Sequence, residues 1–349
     1  MPSRPDSRAV GAQPFKQLAF IGGGAWGTAL ALTALRAGRD CSLWIREPEV
    51  ARVAASERRT LFLPGHPLPE ALLISSELAT VLAQAELAVL VVPSQYLRTV
   101  ARDIQSHLTE GAALLICSKG IEAESCALMH EVVEEELGGR PWAVLSGPSF
   151  AAEVAEGQPT AVTVAGKDAA LVARAAATFA SPIFRPYTSS DPVGVQVGGA
   201  VKNVLAIACG IASGCGFGSN ARAALITRGL AEVMRLGLAL GARQETLAGL
   251  AGLGDLTLTC SSEQSRNFSF GMALGKGLTA QQAQAGSKAV VEGAENARSV
   301  IGLANKLAVE MPICQAVFEI LYQDLPVLDA MHRLLTRPLK DETAGAIES

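Results

Sequence analysis

From Leu18 onward, short apolar or β-branched runs alternate with longer stretches whose apolar residues recur every three to four positions. The short runs are Leu18 to Ile21, Cys41 to Ile45, Leu87 to Val92, Ala113 to Cys117, Ala143 to Leu145 and Ala161 to Val164. They read as strands, and their alternation with helical stretches predicts a parallel sheet joined by crossover helices. Several end directly in turn residues: Pro93 follows the third, Ser118 the fourth, and Ser146, Gly147 and Pro148 the fifth. Polar and glycine-rich loops therefore gather at the carboxyl ends of strands, the edge where open α/β sheets bind ligands.

Beyond about Asp191 the period changes. Ala221 to Leu240 and Ala289 to Glu310 carry helical periodicity, and no run reads as a strand. The pattern predicts a loose polar tail over residues 1–16, a sheet domain over 17–190, an all-helical domain over 191–340 and a polar tail over 341–349.

Composition narrows the classes. A chain of 349 residues exceeds one core of ordinary size, and 49% hydrophobic against 18% charged residues is ample to fill two. A net charge of -4 speaks against a sequence-blind nucleic-acid binder, so no nucleic-acid partner is expected, and any anionic ligand must be held by a few placed cations. The seven cysteines, Cys41, Cys117, Cys126, Cys209, Cys215, Cys260 and Cys314, are odd in number and scattered through apolar stretches. They read as reduced core residues of a cytoplasmic protein. The first sixteen residues hold three prolines and no apolar core of the kind a signal peptide needs. Val193 to Ala221 is long and carries one charge, but its seven glycines make poor lipid-facing material, so no membrane span is expected. The four histidines show no ligand spacing and no Cys-x-x-Cys occurs, which leaves no expectation of a metal.

The segment LAFIGGGAWGTALAL, residues 18–32, places Gly22, Gly24 and Gly27 as G-x-G-x-x-G between an apolar strand and an alanine-rich helix. The first glycine permits the tight turn, the second admits a pyrophosphate to the backbone, and the third lets helix and strand pack closely. The helix N-terminus adds free N–H groups and a positive dipole end. This is the context of a nicotinamide dinucleotide site, and it makes the sheet domain a doubly wound Rossmann-type α/β unit followed by an all-helical domain. At the end of the second strand, a carboxylate bonds a ribose hydroxyl, whereas an arginine accommodates a 2′-phosphate. Here Arg46 favours NADPH, and its neighbour Glu47 leaves NADH open.

Two isolated charges mark the helical half. Lys202 is the only charged residue between Val193 and Ala221, and Asp255 the only carboxylate between Glu245 and Glu263. A lysine on an apolar helix commonly snorkels to water. Beside a dinucleotide cleft, however, a buried ammonium can polarise a carbonyl and pass it a proton. Because unpaired buried charge is costly, Lys202 and Asp255 are expected to be partners. Lys119, Ser149, Ser265, Arg266 and Asn267 would supply the cations and neutral donors that a phosphorylated substrate needs, arginine giving a two-pronged fit to phosphate.

Seven separated segments, GGGAWGTAL, CSKGIE, SGPSFAAEVAEGQPTA, GGAVKNVLAIACGI, AGLGDLTLTC, QSRN and VVEG, occur in the order found in bacterial NAD(P)-dependent glycerol-3-phosphate dehydrogenases, which the chain resembles from about residue 18 to residue 310. The resemblance implies a helical domain of the 6-phosphogluconate dehydrogenase type. It also implies reversible reduction of dihydroxyacetone phosphate to sn-glycerol 3-phosphate, the precursor of phospholipids. Dinucleotide contacts would fall at Ala25, Trp26, Arg46, Lys119, Ala151, Arg266, Val290 and Glu292. Substrate contacts would fall at Lys119, Gly147, Ser149, Lys202, Asp255, Ser265, Arg266 and Asn267, with Lys202 as proton carrier. The chain departs from the family pattern at Ala25, where serine is frequent, at Gln95 and Tyr96, and at Phe268 and Ser269. Helical domains of this type often associate, so a homodimer is compatible with the sequence. Two rival readings are a related 3-hydroxy-acid or sugar-acid dehydrogenase, and a non-catalytic dinucleotide sensor.

Overall fold

The computed structural model of the chain describes residues 12–285 and 291–338. The first half is built from β1 (Gln17–Ile21), α1 (Ala25–Arg36), β2 (Asp40–Trp44), α2 (Pro48–Glu57), β3 (Leu73–Ser75), α3 (Leu78–Leu82), β4 (Leu87–Leu90) and α4 (Leu97–Ile104). It continues through β5 (Ala113–Ile116), α5 (Met129–Leu137), β6 (Trp142–Ser146), α6 (Ala151–Glu156), β7 (Thr160–Ala165), α7 (Ala169–Phe179) and β8 (Phe184–Ser189). The strands form one eight-stranded sheet in the order β3-β2-β1-β4-β5-β6-β7-β8. Helices cover both faces. One apolar cluster joins α1, α6 and α7 to the sheet, with Phe20 meeting Phe179 edge to face, and a second joins α3, α4 and α5 to the other side.

The expected doubly wound parallel sheet carries one exception, because β7 runs antiparallel to β6 and carries β8 with it. The link between β6 and β7 holds only the six-residue α6, which ends on Gly157 in left-handed backbone. That helix stays at the sheet's carboxyl edge, held by Arg36, which donates to the carbonyls of Val154 and Ala155. The chain thus re-enters from the edge it left, whereas a parallel return needs a full crossover. Two strands escaped the pattern. β3 is three residues long, and β8, FRPYTS, is a largely exposed edge strand with Pro186 inside it. Proline is tolerated there because an edge strand has no second neighbour to supply.

The loose tail expected over residues 1–16 also stops short. Residues 1–11 lie outside the described residues, as do 339–349, but Phe15 is 2% exposed, donates its N–H to Thr178 Oγ1, and has Arg174 over its ring. A large aromatic anchor among polar residues outweighs their polarity.

The helical half comprises α8 (Pro192–Gly214), α9 (Ser219–Ala239), α10 (Gln244–Leu247), a π-helical turn over Leu250–Gly254, α11 (Asp255–Cys260), α12 (Arg266–Gly275), α13 (Ala280–Ala285), α14 (Glu292–Lys306), α15 (Pro312–Tyr322) and α16 (Val327–Leu335). Asp191 caps α8, accepting from Gly194 N, while its other oxygen takes Arg243 N. Helices α9, α11, α12, α14 and α15 surround α8, which explains why it is apolar all round. Among the described residues it is the one helix long and apolar enough to cross a membrane, and 94% of that apolar window is buried in the protein. The backbones of α8 and α12 touch. A Cβ on Gly210 would lie 2.0 Å from Phe268 O, and one on Gly271 2.1 Å from Ile207 O. This approach brings the start of α12 against the middle of α8, where Lys202 stands.

Candidate active site

The loops after β1, β4, β5 and β6 open at one edge of the sheet, and the strand order reverses between β1 and β4. That crevice is where doubly wound sheets receive nucleotides. Gly22 has φ +126°, and a Cβ on it would press on Val91 O at 2.8 Å. A Cβ on Gly27 would lie 2.0 Å from Gly22 O, so the turn is closed against its own helix. Gly24 differs: a Cβ there meets nothing within 4 Å, leaving open space over the first turn of α1. That turn has no side-chain cap and no acidic residue to compete with an anion. The Trp26 indole N–H beside it is buried without a partner among the described residues. The cradle fits a pyrophosphate, which needs close backbone approach and N–H donors.

At the adjoining edge Arg46 follows β2 with its side chain exposed. It pairs with Glu47 at 2.8 Å, and its guanidinium lies 5.8 Å from the centre of the Tyr96 ring. Tyr96, which the motifs gave only as a departure from the family pattern, comes within reach of Arg46 through the sheet order.

Between the sheet edge and α8 stands a buried ionic triad. Asp255, 1% exposed, accepts from Lys202 Nζ at 2.5 Å on one oxygen and from Lys119 Nζ at 2.8 Å on the other. Lys202 comes from the middle of α8 and Lys119 from the loop after β5, while Asp255 follows the π-helical turn as the first residue of α11. Lys202 also donates to Thr259 Oγ1 at 3.1 Å, and Thr259 in turn donates to the Asp255 carbonyl. Lys119 reaches Gly147 O at 3.3 Å, the same oxygen that accepts from Ser149 Oγ at 2.9 Å. Gly147 itself sits at φ +145° against Val162.

The electrostatics follow from burial. Desolvation pushes the Lys202 ammonium down, Asp255 pulls it back up and Lys119 pushes it down again, leaving a pKa of about 8. Burial also raises Asp255, but the two lysines outweigh it and hold its carboxyl below the usual value. Asp255 therefore stays an anion over a wide range, and Lys202 is poised to give or take a proton near neutrality.

Lys202 and Asp255 are thus joined as their isolation in the sequence suggested. Lys119, expected beside a phosphate, donates to Asp255 and to Gly147 O. Ser265 and Asn267 were nominated as donors to substrate, yet each uses its side chain within the protein. Ser265 Oγ caps α12 through Phe268 N, and Asn267 donates to Asn203 Oδ1 while accepting from Gly293 N, both at 2.9 Å. Helix starts and close helix packing absorb short polar side chains in this way. Arg266, exposed, opens α12. Ala151 opens α6 and packs on the sheet core, and Glu292 opens α14, half-buried and near enough to act on Lys202. Val290 lies outside the described residues. Thr259, Asn203 and Asn296 were missed; Thr259, four positions after Asp255 on one helix, was the one the spacing could have given. A groove of about 740 Å³ lined by Thr163, Tyr187, Ser190, Arg243 and Thr246 includes none of the nominated residues.

Profiles of the NAD-dependent glycerol-3-phosphate dehydrogenase N-terminus and C-terminus match residues 17–172 and 191–332. The chain belongs to this family. It is 53% identical over 338 residues to glycerol-3-phosphate dehydrogenase (NAD(P)+) of Rhodospirillum rubrum, covering 97% of this chain and 96% of that one. The Caulobacter vibrioides protein of the same description is 53% identical over 329 residues, 94% of this chain and 99% of its own. The crystal structure of a Coxiella burnetii glycerol-3-phosphate dehydrogenase superposes with a TM-score of 0.90 at 43% identity, covering 93% of this chain and all of that one.

As a glycerol-3-phosphate dehydrogenase family member the chain accommodates its departures without disturbing the triad. Gln95 holds the Lys119 loop at two points, donating to Ile121 O at 2.8 Å and accepting from Ala123 N at 2.9 Å. Phe268 is buried, and Ser269 turns back to Glu263 O. At Ala25 the missing hydroxyl leaves only the backbone to meet a phosphate.

Proposed function

We propose that the chain catalyses the NAD(P)H-dependent, reversible reduction of dihydroxyacetone phosphate to sn-glycerol 3-phosphate and so supplies glycerophospholipid synthesis. The observation that carries the reading is the buried Lys119–Asp255–Lys202 triad at the mouth of the dinucleotide crevice. Gly22, Gly24, Ala25, Trp26 and Gly27 hold the pyrophosphate, Arg46 the 2′-phosphate, and Lys119, Ala151, Arg266, Val290 and Glu292 the rest of the cofactor. When bound, the nicotinamide supplies a hydride equivalent to C2 of the substrate. Arg266, Ser265, Asn267 and Ser149 orient the phosphorylated triose, the first turn of α12 lending its N–H groups to the phosphate. Gly147 and Lys119 complete the set of substrate contacts. Lys202 donates its proton to the C2 oxygen and is reloaded from solvent; in oxidation the neutral amine takes that proton back. Asp255, held by both lysines, fixes the Lys202 head group and balances its charge.

The sign of the pH dependence follows. Reduction requires the ammonium and oxidation the amine, so kcat/KM for reduction falls, and for oxidation rises, as pH passes about 8. The domains 17–190 and 191–340, a cytoplasmic location and a homodimer belong to the same proposal.

The test is decay of NADPH absorbance on adding dihydroxyacetone phosphate, repeated with NADH and with unphosphorylated dihydroxyacetone. Rapid decay with the phosphorylated ketone alone is the expected result. Equal turnover of the unphosphorylated ketone, or binding of NADPH with no turnover, would overturn the assignment.

A further inference from the structure

Asn296 lies in α14, 0% exposed, and takes no part in the mechanism above. Its Nδ2 donates to two main-chain carbonyls at once, Lys119 O at 3.5 Å and Ala200 O at 3.4 Å. The two acceptors belong to different halves of the molecule: one is the residue whose side chain holds Asp255, the other sits two positions before Lys202 in α8. Both bonds are long, as expected where one amide spans two carbonyls. The next residue of the loop passes close to the amide oxygen, which is buried and accepts no hydrogen bond among the described residues. A Cβ on Gly120 would fall 2.8 Å from Asn296 Oδ1 and 2.2 Å from Ser94 Oγ, so only glycine lets the loop lie this close. Further along α14, Gly302 faces the Cys126 thiol and Lys306 donates to Ser125 O at 2.7 Å. One face of this helix therefore follows the loop from Lys119 to Cys126.

We infer that Asn296 is a positioning residue, which fixes the Lys119 backbone against α8 and thereby sets the two lysines on opposite oxygens of Asp255. Without it, the Lys119 loop keeps its hold on Gln95 and on the Lys306 end of α14, and the Lys119 side chain still lies along Gly199, but the hydrogen-bonded link from the Lys119 main chain to α8 is lost. Asp255 then loses its second cation, and its charge falls on Lys202 alone.

The inference rests on Lys202 as proton carrier, and its test reads that proton. The charged groups acting on Lys202 are Asp255 of α11, Lys119 of the loop and Glu292 of α14, with the Cys260 thiol close by and kept neutral by burial. Lys119 pushes the Lys202 ammonium down, so loosening Lys119 moves it up. The measurement is the pH profile of kcat/KM for glycerol 3-phosphate oxidation in wild type and Asn296→Ala, with thermal melting followed by circular dichroism. The folded variant is expected to lose about tenfold to a hundredfold in kcat/KM, the scale of a misplaced catalytic group. Its midpoint is expected to rise by about one pH unit from the wild-type value.

A loss of activity with the midpoint unmoved would overturn the inference, because a merely structural residue lowers the active fraction without touching the proton. If Asn296→Ala does not fold, Asn296→Ser carries the same test, its shorter side chain keeping a polar group in the helix while withdrawing the donor from both carbonyls. Lys306→Met, which cuts an exposed contact between the same helix and loop, is expected to keep the wild-type midpoint; an equal rise there would assign the effect to the whole loop and sink Asn296. A wild-type profile with no ionisation near pH 8 would instead remove Lys202 from the mechanism, which separates failure of the parent reading from failure of this one.

Discussion

At the start of α1 the chain offers backbone and empty space; at the start of α11 it offers a buried charge gripped by two others. The first arrangement needs almost no side chains. Gly22 and Gly27 are chosen because any Cβ would strike main-chain oxygen, and Gly24 because a Cβ would fill the space a ligand needs. The second arrangement is all side chain. It draws Lys119 from the sheet half and Lys202 and Asp255 from two helices, and its groups are ionised in a place where charge is costly. The comparison teaches that binding and proton transfer are housed in separable structures, so each should be breakable with the other left standing.

The largest effect is expected at the ionic triad. Lys202→Met removes the proton carrier and leaves Asp255 paired to Lys119, and losing a positioned general acid costs roughly 10²- to 10⁴-fold in rate. NADPH binding, followed by fluorescence titration, is expected to change less than about twofold, since the cradle at α1 owes nothing to Lys202. Turnover like that of wild type would remove Lys202 from the mechanism, and a parallel collapse of NADPH binding would show that the two structures are not separable.

The complementary cut is Gly27→Ala. Its methyl group would overlap Gly22 O, which is backbone on both sides and cannot rotate away, so the turn must open. The expected cost of such overpacking is about 1–3 kcal/mol, appearing as roughly tenfold to a hundredfold weaker NADPH binding. The pH midpoint of glycerol 3-phosphate oxidation should stay near its wild-type value, because Lys202, Asp255 and Lys119 are untouched. A moved midpoint would mean that the cradle and the triad share a backbone constraint.

The same contrast governs how much of the molecule was legible in its sequence. The cradle was legible because its demands are local: a turn, a close approach and a helix start fall within fifteen residues and each prescribes a residue type. Lys202 and Asp255 were legible as the only charges in long apolar stretches, which is itself a physical anomaly. Lys119 was visible, but its partner was not, since a lysine after a strand looks the same whether it reaches for solvent or for a carboxylate 136 positions away. Asn296 gave no signal, as an asparagine in an amphipathic helix is ordinary until the carbonyls above it are known. β8 was hidden by Pro186 and its polar neighbours, and the reversal of β7 by a short helix whose docking through Arg36 is a tertiary fact.

The smallest effect, and the finest test of the division, concerns Arg46. Its guanidinium is exposed and paired with Glu47 at 2.8 Å, and an exposed ion pair of this kind is worth at most about 1 kcal/mol. The pair is therefore easily exchanged for a 2′-phosphate, to which arginine offers two parallel donors. With Arg46→Ala, that phosphate would meet the Glu47 carboxylate with nothing between them, while the ribose hydroxyl of NADH could still bond to it. The ratio of kcat/KM for NADPH to that for NADH is expected to fall about tenfold, through the NADPH KM, with kcat for either cofactor nearly unchanged. Raising ionic strength should narrow the wild-type preference in the same direction, because the contact is on the surface and screened. If kcat fell instead, Arg46 would be reaching the chemistry through the sheet, and the separation between an edge that binds and a buried triad that moves protons would not hold.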